Sequence, residues 1–459
     1  MERSAPGSLV IVMTIALAFA APAFWVLPSI DDWSTVRPYI DGLPDGALRP
    51  GTFFRPIEGL LRLGAGIFPE HSALWMHSWV VAGHVLSVLG LYQLLKGFGP
   101  IGTVATCVFA GSSSVAAAVW SVDSAIQTWS TAVGLASVLL YRRNPKPLGP
   151  WLFAAAISAL WKESGLVWFL LAPLCATYLL RQEHRRTLVP ACLAGMGALC
   201  LYFIARLTLS FSLPVFGGGR YSLHLDPSIW VKNAAQLCFT ASTAVDTVAL
   251  LGDPGRQNLG WTTVALSIPL LAWIGWYAFA GSNRQFLRVP VLLLIAAGPH
   301  LVLGHVSEMY THPVLAVLCL AVVPNAAANT SAIALTRGRW ALALYALAST
   351  ISTSHKAYEM ITTGWRAKAV LLDLTRQWAP RPLPASVCIV APSPHGNSGY
   401  SVFQAAPPEA SGFGRLFYAQ GDHRLPREFV ARPDLQACKV SGAQAVIWFE
   451  GDHPAISEL

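Results

Sequence analysis

The feature that most constrains the fold is a series of apolar runs, each about 16–22 residues long, that recurs between residues 8 and 355. A bilayer core about 30 Å thick is crossed by about 20 apolar residues in a helix. Only 12% of the residues are charged, about half the share usual in globular domains. Because lipid offers no partner to an unpaired backbone amide, spanning segments of this kind form helices. The sequence therefore predicts an all-α polytopic membrane protein.

The net charge of +8 is explained by membrane topology without a nucleic acid. Basic residues stand in short clusters between the apolar runs, and no broad basic face is visible. This distribution is typical of the positive-inside rule, in which loops rich in Lys and Arg stay in the cytoplasm. We therefore expect membrane lipid as a partner and no nucleic acid.

The basic clusters also set the direction of each crossing. They are Lys96; Arg142, Arg143 and Lys146; Arg181, Arg185 and Arg186; Arg284 and Arg288; and Arg337 and Arg339. With every cluster inside, the predicted spans are residues 8–27, 73–95, 101–120, 123–141, 187–207, 261–280, 289–304, 311–327 and 340–356, plus a hairpin within 149–181. About eleven crossings follow, with the N-terminus in the cytoplasm and the C-terminus outside, which suits a bacterial inner membrane.

The hairpin follows from the sequence WKESG at residues 161–165. A single helix over 149–181 would place Lys162 and Glu163 at the bilayer centre, where each charge costs about 2.5–3.5 kcal/mol. It would also place the basic cluster that precedes it and the basic cluster that follows it on opposite sides of the membrane. Two short helices that meet at an outer WKESG avoid both penalties.

Two segments leave alternatives open. The run at 8–27 resembles a cleaved signal peptide at Ala18-Phe19-Ala20, but its length favours a retained helix. The segment 229–252 is read as interfacial or re-entrant, since a crossing there would move Arg284 and Arg288 outside.

The composition changes near residue 370, which predicts a membrane domain at 1–369 and an outer domain at 370–459. The outer domain contains two strand-like runs, 386–392 and 443–450, and is expected to be small and α/β-like. Cys388 and Cys438 form either a disulfide, if this domain faces an oxidising compartment, or two reduced thiols.

This topology places on the outer face the polar groups that would be costly to bury in lipid. Ionisable residues at such a membrane boundary are functional candidates. They are Asp31 and Asp32 after the first helix, Arg55 in the first outer loop (28–72), Asp123, Lys162, Glu163, His305 and Glu308. Adjacent carboxylates repel, which raises the pKa of one of them unless a cation or proton is shared, so such a pair suits general-base chemistry. Lys162 is a compact cation suited to phosphate. Each acid has a structural alternative as a boundary or capping residue.

A metal site is an alternative reading of the segment 305–312. His305, Glu308 and His312 are of the right types, but their spacing is not diagnostic of a metal centre. No cofactor is indicated with certainty, and a divalent metal stays open.

Five motifs in a fixed order carry a family resemblance. They are IDDW (30–33), TFFRPIEGL (52–60), the His-bearing helix 71–95, ALWKESGLVWFLLAP (159–173) and SEMYTHPVLAVL (307–318). Together they resemble the glycosyltransferase-C superfamily, polytopic enzymes that use polyprenyl-phosphate-linked sugars, near its protein mannosyltransferase and aminoarabinose transferase group. The resemblance covers roughly residues 8–365.

The resemblance implies roles for the acids. Asp31 or Asp32 would deprotonate the acceptor, with Asp31 preferred as the base and Asp32 for orientation. Asp123 would match a second acid at the outer junction. Lys162 and Arg55 would contact the donor phosphate and neutralise charge on the leaving group.

The late motif departs from the family pattern. The resemblance places three residues of this segment at the substrate: His305, Glu308 and Tyr310. An Arg before the Tyr is common in the family, whereas this chain has Glu308-Met309-Tyr310. Arg220, after three glycines, is the candidate for the missing cation.

The expected function is transfer of a sugar from a polyprenyl-phosphate donor to a glycan, lipid or protein acceptor on the outer face. Two other classes are alternatives: a transporter or flippase of lipid-linked glycan, and a non-catalytic membrane scaffold of cell-envelope assembly. A transporter predicts polar groups at mid-bilayer and inverted repeats.

Overall fold

The computed structural model describes residues 7–26, 55–67, 71–179, 185–208, 223–252, 254–279, 288–304, 306–329, 332–378, 386–390, 428–432, 434–450 and 453–458. Within these residues the chain is mostly helical, and one small sheet lies near its C-terminal end. The helices before the sheet are α1 (Gly7–Ala20), α2 (Pro56–Ile67), α3 (Ser72–Leu95), α4 (Gly99–Gly111), α5 (Ala116–Trp120), α6 (Ala125–Arg143), α7 (Pro150–Trp161), α8 (Trp168–Leu179), α9 (Arg185–Thr208), α10 (Pro227–Ser242), α11 (Thr247–Gly252), α12 (Gln257–Phe279), α13 (Arg288–Leu301), α14 (Thr311–Asn329) and α15 (Ala332–Trp378).

Several helical segments are long and apolar enough to cross a membrane. In the described ranges there are five: Gly7–Phe24, Ala73–Gly111, Arg186–Thr208, Gln257–Trp276 and Glu308–Ala328. Shorter apolar helices are Pro150–Trp161, Glu163–Leu179 and Arg288–Leu301. A helical membrane protein is therefore supported, whereas the count of eleven crossings stays a prediction.

The predicted break at WKESG is present between α7 and α8. The ring of Trp151 contacts Tyr141 at 5.4 Å between centroids, and the ring of Trp161 stacks on Trp129 at 5.4 Å. These contacts join the start of α7 to the end of α6 and the end of α7 to the start of α6, so the two helices are antiparallel. Residues 162–167 then interrupt the helix before α8.

Helix α6 lies inside the bundle, packed against α3, α7 and α8. Its close contact with α8 depends on Gly134, where a Cβ atom would lie 2.1 Å from the Trp168 ring. Small residues permit such approach between membrane helices, where association rests on packing. Because protein surrounds α6, its polar residues Gln127 and Thr128 are buried away from lipid.

The predicted helix at 101–120 is interrupted. Helix α4 ends at Gly111, and Ser112 takes an extended backbone with φ −74° and ψ 132°. Its hydroxyl accepts the Ser114 N–H at 3.3 Å. Serine side chains offer the backbone such local alternatives to a helix, and α5 begins only after this turn.

The segment predicted as interfacial or re-entrant, 229–252, forms two helices. Asp226 caps α10 by accepting the Ser228 N–H at 2.8 Å, a bond that lowers the pKa of its carboxyl. The chain leaves the helix at residues 243–246 and resumes as α11. Whether this segment crosses the membrane stays an open prediction.

The last helix is longer than its predicted span of 340–356. Helix α15 runs without a break from Ala332 to Trp378, because no proline interrupts its sequence before Pro380. It therefore continues past the domain boundary predicted at 369/370.

The C-terminal residues form a four-stranded sheet in the order β2-β1-β3-β4. Its elements are β1 (Ser386–Val390), β2 (Glu428–Arg432), α16 (Leu435–Val440), β3 (Ala445–Glu450) and β4 (His453–Glu458). Strand β1 is parallel to β2 and β3, and β4 is antiparallel to β3. A disulfide joins Cys388 to Cys438, linking β1 to α16, and its buried sulfurs pack with Val446. This part of the chain has the α/β character that the sequence predicted.

Candidate functional site

Lys162 lies at the break between α7 and α8, in an extended conformation that turns its side chain out of both helices. Only 5% of the residue is exposed. Its Nζ atom lies 3.7 Å from Sδ of Met309 and 5.0 Å from the centroid of the Tyr310 ring. The Tyr310 ring in turn stacks on His300 at 3.9 Å. The turn therefore brings Lys162 and Tyr310 together.

Glu163, the next residue, pairs with Arg55 just before α2. Arg55 Nε donates to Glu163 Oε2 at 2.8 Å, although 108 positions separate the two residues. Arg55 Nη1 also lies 3.7 Å from Glu58, which pairs with Arg62 one turn further along α2. The ion pairs fix α2 against the 162–167 turn, and they place two predicted residues, Arg55 and Glu163, in direct contact.

Arg206 adds a cation that the sequence analysis did not single out. It lies in the last turn of α9, is 3% exposed, and acts electrostatically on Tyr202 one turn earlier. Tyr202 also lies within electrostatic range of Glu163 and Arg55. Arg206 was overlooked because it stands at the end of an apolar run, where a lone arginine suggests only a membrane boundary.

We call the charged side chains at and around the 162–167 turn the cation cluster: Arg55, Glu58, Arg62, Lys162, Glu163 and Arg206. Arg55 pairs with Glu163 and Glu58, Glu58 pairs with Arg62, and Lys162 precedes Glu163 in the chain. Among the described residues it contains four cations and two carboxylates. In a poorly solvated place such an excess of cations favours a bound anion, because charge repulsion and desolvation are both costly there.

Glu308 lies on the other side of the Tyr310 turn and pairs with Lys356 of α15. Lys356 Nζ also donates to the Ser113 carbonyl at 3.1 Å. Thr247 at the start of α11 donates to the second oxygen of Glu308. Glu308 of the late motif thus pairs with a cation on α15 that lies 48 residues further along the chain. No local sequence pattern could indicate this pairing.

Several predicted residues lie outside what the structure describes. Asp31, Asp32, Arg220 and His305 are outside the described residues. Asp123 lies in the short turn at 122–124, and its side chain is not described. Their roles stay predictions.

The metal reading gains no support from the described residues, among which no group of three or more His, Cys, Asp or Glu side chains is placed to hold a metal ion. The carboxylate of Glu308 is paired with Lys356. His312 is buried, with Nε2 3.2 Å from Nδ1 of His84 and Nδ1 3.1 Å from the Thr131 hydroxyl. Glu308 and His312 therefore have different partners, and a site that includes His305 stays a prediction.

A second polar cluster connects α11, α12 and α15. The carboxylate of Asp246 is fully buried and lies 2.7 Å from Nδ1 of His355. The other ring nitrogen of His355, Nε2, contacts Arg256, which also pairs with Glu359. None of these four residues was predicted, because the contacts join positions about 100 residues apart.

Comparison with known proteins gives no match: neither a protein-family model nor a curated protein matches this sequence.

Proposed function

We propose that this protein is a membrane glycosyltransferase related to the glycosyltransferase-C superfamily. It transfers a sugar from a polyprenyl-phosphate donor to a glycan, lipid or protein acceptor at the outer face of a bacterial inner membrane. The observation that carries the proposal is the Arg55–Glu163 ion pair of the cation cluster, which joins the TFFRPIEGL motif to the motif that contains Lys162 and Glu163.

The position of the cluster favours a phosphate that is attached to a lipid. Helix α9 presents Arg206 to the cluster, while Phe203, Ile204 and Leu207 on the same two turns are exposed. Exposed apolar side chains on a membrane helix face lipid. One helix therefore contacts the headgroup site on one side and the acyl region on the other, as a lipid-linked phosphate requires.

The reaction is a single displacement. The acceptor hydroxyl oxygen attacks the anomeric carbon, the bond from that carbon to the phosphate oxygen breaks, and polyprenyl phosphate leaves with the electron pair. The leaving phosphate gains a negative charge, which the cations of the cluster stabilise. A base takes the hydroxyl proton, a role for which Asp31 and Asp32 are the sequence-based candidates. Inversion at the anomeric carbon follows from the single step.

The proposed topology has about eleven crossings, an N-terminus in the cytoplasm and a C-terminus outside. The Cys388–Cys438 disulfide supports an outer location for the tail, since disulfides persist in oxidising compartments.

The test is reconstitution of the purified protein in vesicles with a radiolabelled polyprenyl-phosphate sugar and a lipid or glycan acceptor. We expect transfer by the wild type. If Asp31 or Asp32 is the base, as the resemblance implies, Asp31→Asn or Asp32→Asn abolishes transfer while the protein stays folded. Unchanged transfer in the variant that carries both substitutions would contradict the assignment of the base, and absence of transfer by the wild type would contradict the function.

Transport of a lipid-linked glycan is a second candidate, because the bundle contains a buried polar pair. His84 on α3 and His312 on α14 are both fully buried and bonded to each other. Buried ionisable groups in membrane helices often mark a transport or proton path. If the wild type moves a labelled lipid-linked glycan across the vesicle bilayer without transfer, and His84→Gln abolishes the movement, this candidate replaces the enzyme.

A further inference from the structure

The pair of Asp246 and His355 has the geometry of a carboxylate that orients an imidazole. Asp246 Oδ1 accepts the Ala249 N–H at 2.9 Å, and Oδ2 lies 2.7 Å from Nδ1 of His355. The backbone N–H of Asp246 donates to the Thr263 hydroxyl at 3.1 Å. Both carboxylate oxygens are therefore engaged, and the carboxylate is fixed between α11 and α12.

Arg256 determines which nitrogen of His355 carries the proton. Its Nη1 lies 2.9 Å from His355 Nε2. A guanidinium only donates hydrogen bonds, so Nε2 must present a lone pair. The proton of the neutral ring then sits on Nδ1, where it is donated to Asp246. This is the tautomer in which a carboxylate strengthens the opposite nitrogen as a proton acceptor and stabilises the imidazolium that forms.

The lone pair on Nε2 is covered by a side chain that is itself about half exposed to solvent. The Arg256 side chain is 48% exposed, whereas that of His355 is 12% exposed and that of Asp246 is fully buried. Glu359 also faces this nitrogen, at 3.6 Å, and holds the guanidinium. Withdrawal of Arg256 would open Nε2 to an incoming group without disturbing the buried half of the pair.

The next residue on α15, Lys356, connects His355 to the donor site. Lys356 binds Glu308, and Glu308 begins the turn whose Tyr310 lies under Lys162. The charged groups that face the imidazole and its neighbour are Asp246, Arg256, Glu359, Lys356 and Glu308. Lys356 and Lys162 therefore contact the two ends of one short turn, and His355 precedes Lys356 on α15.

We infer that His355 is a catalytic base that accepts the proton of the acceptor hydroxyl, with Asp246 as its positioning residue and Arg256 as its displaceable cover. The inference rests on the proposed glycosyl transfer and names a base other than Asp31 or Asp32. The acceptor hydroxyl replaces the guanidinium at Nε2. As its oxygen bonds to the anomeric carbon, its proton moves to Nε2, and the donor phosphate leaves with the electrons of the broken bond.

The cover is tested with diethyl pyrocarbonate, which modifies unprotonated imidazole nitrogens. The full-length protein in detergent is treated as wild type, as Arg256→Gln, and as Arg337→Gln, which removes an exposed arginine elsewhere on α15. Modification of the His355 peptide is followed by mass spectrometry. We expect about fivefold faster modification in Arg256→Gln, the effect of one lost hydrogen bond, and no change in Arg337→Gln. Equal rates of His355 modification in all three proteins would overturn the role of Arg256 as a cover of Nε2.

The base is tested by transfer in vesicles with a polyprenyl-phosphate sugar. We expect His355→Gln to lower kcat by about 100-fold, the usual contribution of a general base, with the donor KM unchanged. The fall in rate on the acidic side of the pH profile should disappear, and free imidazole should restore part of the activity of His355→Ala. A purely structural role would give neither effect.

The outcomes separate the two proposals. Wild-type rates in His355→Gln, with transfer lost in Asp31→Asn or Asp32→Asn, would overturn His355 as the base and leave the proposed function standing. Absence of transfer by the wild type would overturn both, and the modification rates would still show whether Arg256 covers Nε2.

Discussion

Lys356 and Glu308 form an ion pair that attaches the longest described helix, α15, to the turn in front of α14. The Lys356 side chain is only 1% exposed, and its ammonium also binds the Ser113 carbonyl. Charges removed from water require such partners, and loss of one partner leaves the other uncompensated. The pair therefore holds α15 and the late motif in one arrangement.

Replacing Lys356 by Met should be strongly destabilising. Among the described side chains, Glu308 would then have only the Thr247 hydroxyl beside its poorly solvated charge, at a cost of about 3–5 kcal/mol. The measurement is the melting temperature of the purified protein in detergent. The double variant Lys356→Met with Glu308→Gln should recover much of the loss, and a double variant as unstable as the single one would refute the pairing.

Gly134 should tolerate no larger side chain. In Gly134→Ala the new methyl group would overlap the Trp168 ring, at 2.1 Å, and force α6 and α8 apart at a cost of about 1–3 kcal/mol. Gly275→Ala on α12 is the matched control, because nothing lies within 4 Å of its Cβ position. We expect a lower melting temperature for the first variant alone. The same melting temperature for both would argue against the close packing of these helices.

The disulfide should stabilise the C-terminal sheet. Cys388 and Cys438 are 50 residues apart, and a loop of that length corresponds to about 4 kcal/mol in the chain-entropy account. Cys388→Ser should therefore make the tail sensitive to limited proteolysis, whereas Cys200→Ser, on an exposed position of α9, should not. Equal resistance of the two variants would show that the sheet does not depend on the bond.

The C-terminus should lie outside the cytoplasm. A reporter enzyme that needs disulfides for activity, fused after Leu459, is expected to be active, because such bonds form in oxidising compartments. The same reporter fused after Arg143, in the last turn of α6, should be inactive. Activity at Arg143 together with inactivity at Leu459 would invert the proposed topology.

The sequence predicted the helical membrane class and the break at WKESG because both follow from local costs. The charges of Lys162 and Glu163 are expensive inside lipid wherever the rest of the chain lies. The pairings that build the site are different in kind. Arg55 meets Glu163, and His355 meets Asp246, across about 100 residues, so no periodicity or spacing records them.

The boundaries of helices show the same limit. The turn after Gly111 depends on the Ser112 hydroxyl, whose hydrogen bond to the backbone competes with the helix. Counting apolar residues along the sequence cannot predict such a turn. Helix α15 continues beyond residue 356 into a charged stretch, where hydropathy favours an end but helix-forming residues persist to Trp378.

The central claim is that the cation cluster binds a lipid-linked phosphate, and it is tested most directly by binding. Affinity for polyprenyl phosphate is measured in nanodiscs for the wild type, Lys162→Gln and Arg206→Gln. The control is Arg142→Gln in the last turn of α6, where the arginine donates to the Leu94 carbonyl at 3.4 Å. We predict a Kd raised about tenfold or more in each cluster variant, as for loss of one charge-assisted hydrogen bond, and an unchanged Kd in the control. Equal affinity in all four proteins would contradict the account.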